Sequence, residues 1–548
     1  MTVVYPAGTH TLARIARAGI VLAVSIGYFG YVFQVRGPEF LTSGLSQWLD
    51  PYFLNVVAEH WYHTLLTFSD PSSPLMFFPK SGTIGYSCSL VLFAPFYVIV
   101  RPFLHPFTAY TVSLILVLET GVLSLYVMFR KFFDLRFLEA LLLTALFASS
   151  LNVINTWHTN VWSQTLSIFL VPPILLLALA SGRAQGRVRT VAAGSSGVLA
   201  TLLFAQDFYT GWFVLLMALL LLLGAAMTVD RRWLANQFAE AWHGDRPRIL
   251  AFTFGALAGA LVFVWFYWRA YQEHPAFPED QLLAALPLQR PSDWSGPIDA
   301  VRHLVVYTGA RSFELVFLVG VLTWVPSFRV PMRIRLFTAW FLLVTTVFVI
   351  LGAVKFEDYL GWKNYSVWKR LFLHVPGANA IRDPKRIIYT FELTVVLLAG
   401  LLLSQLPRRS TFRVGIVILA FALLIAEPNR EAFVYGRPTA VFDRWVDAPI
   451  AIDPSCRSFF MSAASPEYEA RYGHRASLYG IDATFIALKY SLPTLNGYSA
   501  WGPDGWSLSD PPHPWYPAAV RAWVDANHLR GVCHLDIDAR RMTPYVPD

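Results

Sequence analysis

The stretch Gln47–Ser87, QWLDPYFLNVVAEHWYHTLLTFSDPSSPLMFFPKSGTIGYS, decides how the rest of the chain is read. It follows the first apolar run and holds Asp50, Glu59, His60, His63 and Asp70, whereas carboxylates are scarce in the apolar sequence around it. Ionisable groups beside hydrocarbon cost free energy unless they face water or a partner, so several on one side of a bilayer point to chemistry at that surface. Leu49, Phe53, Val56, Val57 and His60 fall near one face of a helix that Asp50-Pro51 would open.

The composition sets the frame for that stretch. The 548 residues are 55% hydrophobic and 16% aromatic but only 14% charged, with a mean hydropathy of +0.48, which points to a polytopic membrane protein and excludes a soluble enzyme. The net charge of +8 would suggest nucleic acid in a soluble chain. Here most Arg sits in short loops between apolar runs, where it orients spans, and no nucleic-acid site is read. The run from Ala18 to Phe33 follows Arg14 and Arg17 and has no small-residue cleavage site before Arg36. It reads as a retained span with a cytoplasmic N-terminus.

Apolar runs of membrane length predict spans near 17–35, 109–129, 137–153, 160–180, 190–206, 209–228, 249–270, 311–326, 336–354, 387–405 and 412–427. Clusters at Arg130/Lys131/Arg136, Arg183/Arg187/Arg189, Arg231/Arg232/Arg246/Arg248, Arg329/Arg333/Arg335 and Arg408/Arg409/Arg413 then fall in alternate loops, as one cytoplasmic side requires. The segment Ile84 to Val100 breaks this parity if it crosses. It is expected to lie along the outer interface, shaped by Pro95 and Pro102. The predicted fold class is an all-α polytopic membrane protein of about eleven transmembrane helices plus an interfacial helix, with a small C-terminal extracytoplasmic α/β domain. Residues 1–427 form the membrane domain, with a first outer loop at 37–108, and residues 428–548 form the outer domain.

In that outer domain SCRSFFMSAA reads as a strand, YPAAVRAWVDANHLRG as a helix ending at Gly531, and VCHLDID as a second strand. Cys456 and Cys533 open the two strands. A disulfide and a pair of buried thiols both fit an extracytoplasmic pair of this kind. Cys88 reads as a packed small apolar residue. Loop 355–386 carries Lys355, Lys363, Lys369, Arg370, Arg382, Lys385 and Arg386 on the outer side, against the positive-inside bias. Such a loop suits anionic ligand groups or anionic lipid heads. The chain has no Gly-rich phosphate loop, HExxH or paired CxxC, which counts against nucleotide-driven pumps and zinc enzymes.

The inner N-terminus, the acidic residue soon after the first span, the interfacial helix and the many later spans together resemble the GT-C glycosyltransferase superfamily. SPLMFFPKSGTIGYS, VPGANAIRDPKR and PTLNGYSAWGPDGW are similar to strings found in its bacterial members. The chain departs from their pattern at SCSL (87–90), where an acidic or histidine side chain is expected, and at Asp383 and Lys385, where small residues are usual. The resemblance implies an inner-membrane transferase that moves a sugar from a polyprenyl-phosphate donor to an unidentified glycan, lipid or protein acceptor.

That chemistry needs a base for the acceptor proton, a cationic clamp for the departing phosphate and a groove open to lipid. Asp50 is the candidate base, with a helix-opening cap as its structural alternative. Arg382 and Arg386, four residues apart, with Lys385 beside them, are the candidate clamp. Asp207 and Tyr209 in LLFAQDFYTG are candidates for holding sugar hydroxyls, or the Asp closes a tight turn. Trp501 and Trp506 are candidates for stacking on sugar rings. His60 and His63 with Glu59 or Asp70 make a weak divalent-metal set, and a monophosphate leaving group that arginines neutralise requires no metal or other cofactor. The rival functions are a lipid-linked sugar flippase, for which Glu119 and Glu392 are the main charges in or near spans, and a non-enzymatic assembly protein.

Overall fold

A computed structural model describes residues 49–149, 163–228, 231–273, 331–353, 374–375, 377–381, 386–406, 413–415, 439–462 and 477–546, with single positions at 19, 23, 27 and 418. Most of the expected first span (17–35), the span at 311–326 and most of 412–427 lie outside these residues, as do Arg382 and Lys385.

The protein is mostly helical with a small C-terminal sheet. Helix α1 is Leu49–Thr67. A short helix α2, Ala94–Val100, leads into α3, Pro106–Lys131, followed by α4, Phe137–Ala148. Then come α5 (Val171–Arg183), α6 (Gly186–Gln206), α7 (Phe208–Thr228) and α8 (Arg231–Glu273). Helices α9 (Met332–Ala353) and α10 (Ile387–Gln405) complete the apolar set.

Among the described residues six helices are long and apolar enough to cross a membrane: Pro106–Lys131, Gln164–Arg183, Gly186–Gln206, Phe208–Thr228, Gly244–Glu273 and Ile387–Gln405. Each coincides with an apolar run read from sequence, because a bilayer demands about twenty apolar residues per helical crossing. The segment from Ile84 to Val100 holds no such helix. Its one α-helix has seven residues, with Pro95 in its first turn and Pro102 in the 3-10 turn that follows, and at ~1.5 Å per residue it falls far short of a bilayer. The helix in the span expected at 137–153 runs only from Phe137 to Ala148, too short to be among the six, and two other spans are not uninterrupted helices. The span near 160–180 is interrupted by a 3-10 turn at Ser167–Leu170 ahead of Pro172, and α8 bends at Asp245, two residues before Pro247. Asp245 forms ion pairs with Arg189 and, at 2.9 Å, with Arg248, which ties the bend to the start of α6.

Helices α6 and α8 approach closely through small residues. A Cβ on Gly255 would lie 2.1 Å from the Gly194 carbonyl oxygen, and one on Gly197 would lie 2.2 Å from that of Phe252. Thr201 Oγ1 donates across the same seam to Ala256 O at 3.0 Å. Where lipid gives no hydrophobic reason for helices to associate, backbone proximity of this kind supplies the dispersion contact.

The C-terminal domain contains α11 (Thr439–Trp445), α12 (Ser477–Tyr490) and α13 (Tyr516–Ala526). Its strands are β1 (Ala451–Ile452), β2 (Ser458–Met461), β3 (Val532–Asp536) and β4 (Arg541–Pro544), in the order β1-β4-β3-β2. Strand β2 runs parallel to β3, and β3 antiparallel to β4. Helix α13 ends at Ala526, earlier than the expected Gly531; His528 and Gly531 both take positive φ in the turn into β3. Cys456 and Cys533 are joined in a disulfide, and Cys88 is free and buried.

The sheet does not end at β2. Phe459 N donates to Pro493 O and Leu495 N to Phe459 O, at 3.0 and 2.8 Å, so residues 493–495 run alongside it. On their far side Phe78 N donates to Thr494 O at 2.9 Å, Thr494 N to Leu75 O at 2.9 Å and Phe77 N to Asn496 O at 3.1 Å. The stretch 75–78 thus adds a segment to the C-terminal sheet, and its backbone groups are satisfied there. Below it, α12 packs on α1: Tyr52 donates to the buried Asp482, and its ring lies 5.4 Å from that of Phe485.

Candidate active site

Asp50 lies in the first turn of α1 and is exposed. Its Oδ1 accepts from the Tyr498 hydroxyl at 2.6 Å, and the Tyr498 ring stands edge-on to Phe53 at 5.4 Å. Tyr498 belongs to PTLNGYSAWGPDGW, and its position is set by the residues before it. Asn496 is buried; its Oδ1 accepts from Met461 N at 2.7 Å and its Nδ2 donates to Met461 O and Tyr516 Oη at 3.2 and 2.8 Å. A Cβ on Gly497 would fall 2.4 Å from Phe77 Cε1, so only glycine lets Phe77 of SPLMFFPKSGTIGYS pass beneath this loop. Two of the three strings quoted above are therefore in direct contact.

The third string meets the turn between α6 and α7. Gly377, at φ +81°, sits against Phe208 and Trp212, and Ala378 and Ile381 are buried. A few residues on, Arg386 caps the start of α10. Its guanidinium lies over the Tyr209 ring at 4.8 Å, and its Nη1 donates to Gln164 Oε1 at 3.1 Å. Asp207, the single non-helical residue between α6 and α7, is buried, and its Oδ2 accepts from Thr210 N at 3.0 Å and Thr210 Oγ1 at 2.5 Å. Burial pushes the Asp207 carboxyl up, opposed by the Arg386 charge and the Thr210 bonds. The turn role and the contact with the cation coexist. Asp207, Tyr209 and Arg386 thus lie close together, Asp207 in the turn between α6 and α7, Tyr209 in α7 and Arg386 at the start of α10.

The SCSL departure (87–90) joins the same turn. Gln164 Nε2 donates to Cys88 Sγ at 3.2 Å, Ser89 N and Oγ donate to Ala205 O at 3.1 and 2.7 Å, and Gln206 Oε1 accepts from Leu92 N and Phe93 N at 2.9 and 3.0 Å. Small side chains let this backbone lie against the turn. Burial pushes the Cys88 thiol up to about 12, so it is a protonated packing group rather than a nucleophile.

A further cluster escaped the sequence reading. At the end of α8, Tyr86 donates to Glu273 Oε2, Arg269 Nε lies 3.4 Å from Glu273 Oε1, and Arg269 Nη1 donates to Ser81 Oγ at 2.5 Å. Asp504 of the C-terminal loop adds its charge to this group. The signal was present in sequence: Arg269 and Glu273 are four residues apart at the close of an apolar run, a spacing that puts both on one helical face.

The other candidates take structural positions. Trp506 donates its indole N–H to Leu495 O at 3.0 Å and stands edge-on to Phe77 at 4.8 Å, while Trp501 is half-buried nearby in the chain. His60 is buried with Nε2 2.9 Å from Pro71 O, and His63 Nε2 is 2.9 Å from Ser491 Oγ. Glu59 is held by Arg101 at 2.7 Å and Tyr97 at 2.5 Å, and Asp70 by Ser72 and Ser73. Glu119 and Glu392 are buried within their spans. No family model, curated protein or solved structure matches the chain.

Proposed function

We propose that the protein is an integral-membrane glycosyltransferase that moves a sugar from a polyprenyl-phosphate donor to an acceptor hydroxyl, with Asp50 as general base. The observation that carries this reading is the Asp50 carboxylate itself: it is solvent-facing, and a loop from the far end of the chain reaches over to orient it through Tyr498. An exposed carboxylate fixed by a phenol can accept a proton from an incoming hydroxyl.

In the proposed step the acceptor oxygen attacks the anomeric carbon, its proton passes to Asp50, and the bond from that carbon to the phosphate oxygen breaks with inversion. The phosphate leaves with the lipid. Arg386, at the entry to α10, together with Arg382 and Lys385 from the same string, supplies the positive charge that stabilises it. Asp207 and Tyr209 hold Arg386 in place and lie where sugar hydroxyls would be read.

The test is consumption of a polyprenyl-phosphate sugar by the protein reconstituted in lipid vesicles, with and without Asp50. Net consumption that disappears in Asp50→Asn supports transfer. Movement across the bilayer without consumption would make the protein a flippase, and neither would leave an assembly role.

A further inference from the structure

Three apolar helices each bring one long polar side chain to the same place. Gln164 opens the candidate span Gln164–Arg183, Gln206 closes α6, and Arg386 caps the start of α10. Polar groups at span ends are costly unless their hydrogen-bonding atoms find partners, so the partners show what each is for. Gln206 is scaffold. Its Oε1 accepts from Leu92 N and Phe93 N at 2.9 and 3.0 Å, and its Nε2 donates to Ser167 Oγ at 3.1 Å.

Gln164 faces a charge instead. Arg386 offers only donors, so the amide atom turned to its Nη1, at 3.1 Å, is Oε1. Nε2 is then left to donate to Cys88 Sγ at 3.2 Å. The guanidinium is thus held twice: the Tyr209 ring lies against its face at 4.8 Å, and Gln164 meets its edge. A guanidinium stacked on a ring can still turn within its own plane. One bond in that plane stops the turning, and so decides where the other N–H groups point, which is what a two-point contact with phosphate requires. The amide does this without charge. Asp207 already opposes the Arg386 cation, and a second carboxylate in place of Gln164 would outweigh it.

We propose that Gln164 is the positioning residue for the phosphate-binding guanidinium: anchored on Cys88 Sγ, it fixes the rotation of Arg386 on the Tyr209 ring and leaves its positive charge available. This inference rests on the donor reading given above, to which it adds Gln164 and Cys88.

The test is calorimetric binding of geranyl phosphate, a short isoprenyl monophosphate, to the full-length protein in zwitterionic nanodiscs, with thermal unfolding measured on the same samples. Gln164→Leu removes both bonds and should weaken binding about tenfold, the worth of one hydrogen bond to a charged group. In an Arg386→Ala background the same change should weaken binding no further. Gln164→Glu keeps an oxygen against Arg386, so its unfolding midpoint should match or exceed that of the starting protein while binding falls by more than in Gln164→Leu. Should Gln164→Leu not fold, that opposition of stability and binding in Gln164→Glu decides alone. Cys88→Ala, which releases only the anchor, should give a smaller loss in the same direction. Losses at 164 and 386 that simply add, or binding that follows the unfolding midpoint through every variant, would overturn the role of Gln164 and leave the donor reading standing. A starting protein that binds no geranyl phosphate would overturn both.

Discussion

Tyr498 donates its hydroxyl to the Asp50 carboxylate at 2.6 Å across 448 residues of sequence. If Asp50 is the base, the phenol orients it. Asp50→Ala and Asp50→Asn should fold normally and lose ~10²–10⁴-fold in turnover. Tyr498→Phe should lower kcat about tenfold, the worth of one hydrogen bond to a charged group, with little change in donor KM. Turnover near the starting value in Asp50→Asn would remove Asp50 from the mechanism.

Arg386 and Asp207 make a second separable prediction. Arg386→Ala removes the charge that favours the ionised form of the buried Asp207, together with the bond to Gln164, and should cost about 1–3 kcal/mol of stability. Adding Asp207→Asn to it should recover much of that loss without restoring transfer. Thermal unfolding and vesicle assays on the single and double variants distinguish a cation that only neutralises Asp207 from one that also meets the donor.

The junction of the first loop with the C-terminal domain depends on Asn496 and Gly497. Asn496→Ala leaves Met461 N without its partner, while the Tyr516 hydroxyl keeps its bond to Met461 O, at a cost of ~1–3 kcal/mol for the stranded N–H. Gly497→Ala drives a methyl into Phe77 and should cost about 1–3 kcal/mol by overpacking. Both should speed proteolysis around residues 75–80 before the spans are affected.

His60 gives the protein's stability a pH dependence of fixed sign. Burial lowers its pKa from 6.5 to about 4, so the folded state resists a proton that the unfolded chain accepts. Stability from this group is full above pH 6.5, declines as pH falls, and stops declining near pH 4. Going from pH 8 to pH 5 should cost about 2 kcal/mol. His60→Asn, which keeps a donor near the Pro71 carbonyl, should flatten that slope in thermal unfolding.

Reduction tests the loop that the disulfide closes in the C-terminal region. The Cys456–Cys533 bond spans 77 residues, and Cys533→Ser should lower that domain's stability by ~2–4 kcal/mol. Thiol labelling of the unreduced native protein should detect no reactive pair.

Local chemistry made the spans readable. Pro106–Lys131 and Ile387–Gln405 stand out because lipid tolerates no other composition over that length. The short helix Ala94–Val100 was readable for the opposite reason, since Pro95 and Pro102 deny its run the length to cross. The candidate site was visible only in pieces. Asp207, Tyr209 and Arg386 each stood out as polar groups at span ends, but their meeting depends on how α7 and α10 pack, which no local pattern encodes. Trp506 suggested a sugar platform, yet whether an indole stacks on a ligand or braces a turn is decided by Leu495 and Phe77, which are distant in one case and hidden by the fold in the other. The pairing of 75–78 with 494–496 was out of reach altogether: neither segment is long or alternating enough to read as a strand.

That pairing also orders the protein's birth. Trp523 holds Phe78 from 445 residues away, so at ~5–20 residues per second the ribosome leaves the early loop waiting about 20–90 s for the tail that completes it. During that interval Phe77, Phe78 and the backbone beside them have no mate. A truncated chain lacking the last hundred or so residues should therefore be cut at this loop by added protease, however well its spans are inserted.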